Sequence, residues 1–218
     1  EAAITGISSG FVLAGGKAIL EIMFGDFTTL IFDQLLQHAS KFEDMYAGKI
    51  NCPLIVRTPM GGRRGYGPTH SQSLEKFFLG IPNLSVIALN HRISPRYIYN
   101  TLISSFNNPC LVIENKILYT VENSKSKLFG YNYSFNEKSE NLPNLLISPQ
   151  DYSSELTILC YGGSLIEIEK VAKKLCMEDE IFVDIICSTL ISEISVDEII
   201  TSLQRTKKLL IVEEGNSF

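Results

Sequence analysis

The chain has 218 residues, 45% hydrophobic and 20% charged, with a formal net charge of -5. That apolar content can offset the entropy of ordering one large domain or two modest ones, which excludes a disordered chain. The acidic balance argues against a nucleic-acid partner, because phosphate binding needs a basic surface.

No run of about 18 apolar residues is present, so no segment is expected to span a membrane. The N-terminus shows no basic segment followed by an apolar one, so no signal peptide is expected. The five cysteines form no CxxC pair, and Cys110, Cys160 and Cys187 sit in apolar runs. A reducing cytoplasm or organelle matrix fits this usage better than secretion.

Residues 1–16 are predicted to form a helix rich in small residues, with Ile4, Ile7, Phe11 and Ala14 on one face. Its glycines weaken a free helix, so close packing against a neighbour is expected. Residues 17–22 form a short strand. Residues 27–42 have helical apolar spacing through Leu30, Ile31, Leu35 and Ala39. Residues 53–57 read as a strand, 59–72 as a glycine- and proline-rich loop, and 74–79 as a helix. A strand at 84–89, a helix at 95–106 and a strand at 110–114 follow. Helices thus alternate with short, almost continuously apolar strands, the pattern of a parallel sheet covered on both faces.

Residues 116–153 interrupt this rhythm with Ser, Asn, Lys, Glu and two prolines, and read as a linker with a little local structure. The alternation restarts with strands at 156–161, 181–187 and 208–212 and helices at 164–175 and 196–203. The fold class is therefore α/β, with a parallel-sheet domain over 1–119, a linker over 120–153 and the start of a smaller α/β module over 154–218. That second module stops soon after its third strand, early for a complete one.

Three ordered segments carry a resemblance. The first is Glu1-Ala2-Ala3-Ile4-Thr5-Gly6, running on to Glu21-Ile22-Met23-Phe24-Gly25-Asp26-Phe27. The second is Gly67-Pro68-Thr69-His70-Ser71-Gln72, followed by Ile81-Pro82-Asn83-Leu84. The third is Asn108-Pro109-Cys110-Leu111-Val112-Ile113-Glu114-Asn115, with Val212-Glu213-Glu214-Gly215 after it. The set resembles the beta subunit of the decarboxylating component of thiamine-diphosphate-dependent 2-oxoacid dehydrogenases, in the transketolase-like superfamily. The resemblance implies a pyrimidine-binding domain followed by a C-terminal α/β module.

It also implies roles for single residues. Glu1 would hold a ring nitrogen of the coenzyme's aminopyrimidine and share a proton with it, which needs a carboxyl group in a dry pocket. Phe27 would stack on the pyrimidine face, and Met23 would line the same pocket. His70, presented by a tight loop, would bind substrate and handle protons near neutral pH. Arg63 and Arg64 beside it either attract an anionic substrate or are solvated surface residues. A structural potassium ion is implied on backbone carbonyls of Leu54, Ile103, Ser104, Phe106 and Asn108, although the pattern often has an acid where Phe106 stands. The magnesium-binding Gly-Asp-Gly motif with its Asn is missing, so no magnesium site is expected in this chain.

Magnesium and the diphosphate would then belong to an alpha subunit or a fused module, in an alpha2beta2 assembly that passes its acyl product to a lipoyl-bearing acyltransferase. Two alternatives stay open. One is a transketolase-like ketol transferase, and the other is a non-catalytic assembly subunit that keeps the fold.

Overall fold

Four short strands align in parallel in the N-terminal half of this computed structural model, which describes residues 1–122, 128, 130–135 and 142–215. They are β1 (Ile19–Glu21), β2 (Ile55–Met60), β3 (Ser85–Ala88) and β4 (Cys110–Asn115), in the order β1-β2-β4-β3. Every residue of the interior strand β4 is buried, which is why it reads as an unbroken apolar run. The helices of this half are α1 (Ala2–Leu13), α2 (Phe42–Met45) and α3 (Pro95–Ser105). Pro95 opens α3, where its missing N–H has no helical partner to lose.

The second sheet contains β5 (Tyr131–Ser134), β6 (Leu145–Pro149), β7 (Leu156–Tyr161), β8 (Val183–Ser188) and β9 (Leu209–Val212), in the order β5-β6-β8-β7-β9. Its helices are α4 (Ser164–Glu178) and α5 (Asp197–Thr206). Strands β7, β8 and β9 are parallel, whereas β6 runs antiparallel to β8, and β5 antiparallel to β6.

This corrects the expectation of a linker over 120–153: residues 131–134 and 145–149 complete the second sheet. Tyr131, Leu145 and Ile147 turn inward from an otherwise polar stretch, and their burial outweighs its composition. Positions 123–127, 129 and 136–141 of the expected linker lie outside the described residues.

Two further expectations change. The predicted helix over 27–42 is broken into a 3-10 segment at Gly25–Ile31, a π segment at Gln34–His38, a 3-10 turn at Ala39–Lys41 and then α2. Thr28 Oγ1 donates to the Gly25 carbonyl at 2.5 Å and Thr29 Oγ1 to the Asp26 carbonyl at 2.8 Å, so both hydroxyls compete with regular helix bonding. Ile31, Leu35 and Ala39 still face the core. In α1 the buried face is Thr5, Ser9 and Val12, while Ile7 and Phe11 are 72% and 57% exposed. The two hydroxyls can be buried because Thr5 donates to the Glu1 carbonyl and Ser9 to the Thr5 carbonyl, both at 2.8 Å.

The halves share a core. Ile87, Leu89 and Val112 pack in one buried cluster with Ile158, Cys160, Ile185 and Cys187. Backbone bonds cross the junction: Ala88 N–H to the Thr189 carbonyl and Ile191 N–H to the Val86 carbonyl, both 2.9 Å. Glu169 of α4 adds a charged clasp. It accepts from Arg92 Nε at 2.7 Å and Nη2 at 2.5 Å, and contacts His91 Nε2 at 3.1 Å. Burial pushes the Glu169 carboxyl up, but the bonds from His91 and Arg92 outweigh it and hold the group below the ordinary carboxylate value.

A depressed folded value stabilises the fold above the unfolded carboxylate range and is lost as pH falls through the folded value. Glu169→Ala is therefore expected to destabilise the chain by about 1–3 kcal/mol near pH 7, since it removes the carboxylate that Arg92 and the buried His91 share. The penalty should shrink as acid protonates the native carboxyl. Urea unfolding of both proteins across pH checks the size and the trend, and equal midpoints at pH 7 would remove Glu169 as a clasp.

Candidate active site

In open parallel sheets, ligands gather beyond the carboxyl ends of the strands. Here β1 runs on through Ile22, which is fully buried, to Met23, which is 66% exposed. The chain then turns at Gly25, where an added Cβ would lie 2.4 Å from Met60 Cγ. This turn places Phe24, Asp26 and Phe27 beside the loop that leaves β2. That loop starts at Gly61, with φ +90° and no room for a Cβ against the Asn115 side chain, and it carries His70.

The imidazole of His70 is held on three sides. Its Nδ1 lies 2.9 Å from Asp26 Oδ1. The Phe24 ring stacks on it, with centroids 4.3 Å apart and planes 21° apart, and Phe27 meets it edge-on at 5.8 Å. A carboxylate can only accept, so the Asp26 contact assigns a proton to Nδ1 and turns Nε2 toward other partners. Tyr66 packs edge-on against Phe24 at 5.9 Å.

Under this cluster lies a buried ammonium. Lys116 donates to the Gly61 carbonyl at 3.3 Å and to the His70 carbonyl, and stands over the rings of Tyr66 and Phe24 at 5.2 and 5.7 Å. A cavity of about 380 Å³ beside it is lined by Met23, Phe24, Arg57, Arg64, Tyr66 and Lys116, among others. Arg57 is spent on carboxylates: Nε and Nη2 meet Glu114 at 3.1 and 2.6 Å, and Nη1 meets Glu21 at 3.0 Å.

The structure brings His70 and Phe27 into direct contact and places Met23 in the adjoining cavity. Glu1 is exposed at the start of α1, makes no side-chain cap bond, and sits on a helix that packs against the segment bearing Phe27. Arg63 and Arg64 separate. Arg63 reaches Glu167 of α4 at 3.6 Å, whereas Arg64 lines the cavity and meets Thr120 Oγ1 at 3.4 Å.

Of the residues of the implied potassium site, Leu54, Ile103, Ser104, Phe106 and Asn108, three (Ile103, Ser104 and Phe106) line a separate cavity together with Lys17. Lys17 Nζ donates to the Ile103 carbonyl at 3.0 Å, so a tethered cation already uses that oxygen. Phe106 offers a ring where a carboxylate was expected. Among the described residues no group of three or more His, Cys, Asp or Glu side chains could hold a metal ion.

Sequence reasoning gave no role to Phe24, Asp26, Tyr66 or Lys116. An acid one position before the stacking ring of Phe27, opposite a lone loop histidine, was the available signal.

Comparisons with known proteins agree with this fold. The family model described as "Transketolase, pyrimidine binding domain" matches residues 1–122. The pyruvate dehydrogenase E1 component subunit beta of Rickettsia bellii is 26% identical over 99% of this chain and 62% of its own length. The beta subunit of acetoin:2,6-dichlorophenolindophenol oxidoreductase from Cupriavidus necator is 29% identical over 99% of this chain and 60% of its own. The chain thus spans about three fifths of the length of these relatives. A solved structure titled "Split gene transketolase, inactive beta4 tetramer" superposes with a TM-score of 0.70 at 15% identity, covering 98% of this chain and 63% of that one, and shares the fold. With the family model covering more than half of its residues, this chain belongs to the transketolase pyrimidine-binding domain family.

Proposed function

We propose that this chain is the pyrimidine-holding half of a thiamine-diphosphate enzyme that decarboxylates a 2-oxo acid, as a beta-type subunit or module. The observation that carries it is the clamped imidazole of His70, in ring contact with Phe27 and one short turn from the bare side chain of Met23. Relatives named as beta subunits of pyruvate dehydrogenase and of an acetoin oxidoreductase support it.

Three exposed or part-exposed side chains are available to a flat heterocycle. Phe27 is only partly buried, Met23 is exposed, and the Glu1 side chain is left without a cap bond. When bound, thiamine diphosphate supplies a carbon nucleophile for a substrate carbonyl. Phe27 would orient the pyrimidine by stacking, Met23 would fill beside it, and Glu1 would hold a ring nitrogen and share its proton. With Nδ1 committed to Asp26, His70 presents Nε2 to the substrate, to hold its carboxylate or to move a proton.

The diphosphate and its magnesium fall to an alpha subunit or a fused module, in an alpha2beta2 arrangement, and a lipoyl-bearing acyltransferase takes the acyl group. The fold does not depend on potassium at Ile103, where Lys17 already brings a positive charge to the helix end.

Two outcomes are expected. Calorimetric titration with thiamine diphosphate and magnesium should show binding only when a diphosphate-holding partner is present. With that partner, pyruvate, branched-chain oxo acids or acetoin should reduce an artificial electron acceptor, and His70→Ala should lower kcat/KM by about 10²–10⁴. Turnover by this chain alone ends the half-site reading, and turnover of ketose phosphates instead points to ketol transfer. Separately, thermal unfolding at equal ionic strength should give the same Tm in potassium and choline chloride. A potassium-specific rise of more than about 2 °C would restore the ion site.

A further inference from the structure

A lysine buried to 5% exposure is rare unless its charge is matched, and Lys116 makes no carboxylate ion pair among the described residues. Its partners are instead two carbonyls, those of Gly61 and His70. These are the first and tenth residues of a loop that contains three glycines of positive φ (Gly61, Gly65, Gly67) and the left-handed, non-glycine Arg63. Such a backbone has little local preference for one shape. One ammonium therefore joins both ends of a segment that would otherwise sample many conformations. The Phe24 and Tyr66 rings close over the same charge, and Phe24 is the ring that stacks on His70.

We infer that Lys116 is the positioning residue for His70: by tying the Gly61 and His70 carbonyls together, it fixes the imidazole between Asp26 and Phe24. The part of this that concerns turnover rests on the role given to His70 above, whereas the clamping of the loop does not. Lys116 touches no reacting atom in this scheme. It acts through the backbone of His70, so its effect on turnover must vanish when the imidazole is gone. Its charged surroundings are Asp26, on the far side of His70, and Glu214 of the second half.

The test uses Lys116→Met in the assembled enzyme, which keeps an apolar stem and removes all three donors. Amide hydrogen exchange at residues 62–70 should speed up roughly tenfold, as expected when a charge-assisted tether is lost. The kcat/KM for the 2-oxo acid should fall by about 10–100-fold, the cost of a misplaced reacting group. In a His70→Ala background the same substitution should cost less than about twofold, because two residues acting as a unit are not additive. Should the methionine variant not fold, Lys116→Gln takes its place; its shorter stem and neutral amide should give smaller effects of the same sign on exchange and kcat/KM.

Unchanged exchange in the loop overturns the clamp. Faster exchange with a full loss of turnover in the His70→Ala background overturns the positioning role. If His70→Ala alone leaves turnover intact, the functional role of His70 fails, and loop exchange alone then decides whether Lys116 clamps it.

Discussion

One buried carboxylate fixes the geometry on which the site is built. Glu114, near the end of β4, is 5% exposed and accepts four hydrogen bonds. Arg57 Nε and Nη2 come from β2, and the hydroxyls of Tyr99 and Tyr119 arrive at 2.6 Å from α3 and from the turn after β4. Burial pushes this carboxyl up, but Arg57 and the two tyrosines outweigh it and hold it below the ordinary value. Burial and the same carboxylate push both tyrosine hydroxyls well above theirs, so each stays a donor. A carboxylate has about four lone-pair sites, and here all four are met. Arg57 spends its remaining arm on Glu21, and in this way the middle of β2 is tied to the ends of β1 and β4. The turn to Phe24 and Asp26 leaves from β1, and the His70 loop leaves from β2, so their mutual placement follows from this anchor.

The next two residues, Asn115 at the end of β4 and Lys116 just after it, pass that constraint on. Asn115 donates to Glu214 Oε2 at 2.6 Å, and Glu214 Oε1 accepts from the Gly62 N–H at 2.7 Å. The Asn115 side chain fills the space that a Cβ would need at Gly61 in one half and at Gly163 in the other, each only 2.6 Å away. The second half therefore does more than cover a core: through Glu214 it fixes the start of the loop whose far end carries His70. Lys116 follows directly and meets both ends. Rigid support of this kind is what a proton-handling side chain needs, because small displacements in a site cost rate steeply.

Much of this was legible in the chain. The strands other than β5 and β6 announced themselves as apolar runs, most clearly β4 and β8, which are buried at every position. What local pattern could not show is of three kinds. Residues 131–134 and 145–149 form strands inside a polar stretch, and only their pairing with each other and of β6 with the distant β8 makes them part of a sheet. The apolar stripe of α1 lies outward and its hydroxyl stripe inward, because the hydroxyls satisfy themselves on their own helix. Finally, the pairs that make the site join residues 44 and 46 positions apart, Asp26 with His70 and His70 with Lys116, and no periodicity encodes such a meeting. The resemblance named His70 and Phe27 but offered nothing on what holds them.

The chemistry of that support also explains why the residue beneath the loop is a lysine. An ammonium is a compact point charge with three donors. Two of them meet the Gly61 and His70 carbonyls, and the third side faces the rings of Phe24 and Tyr66, whose faces are electron-rich. An arginine would bring five donors in a planar fork to a space that offers two carbonyls, leaving buried N–H groups unmet. A methionine would fill the volume but leave both carbonyls without a donor. Burial pulls the Lys116 ammonium below its ordinary value, and Asp26 and Glu214 oppose that pull. Those two carboxylates are themselves partners of the clamp: Asp26 holds the imidazole, and Glu214 holds the start of the loop. The charge that orders the loop is thus kept in place by the same acids that the loop and its histidine bind.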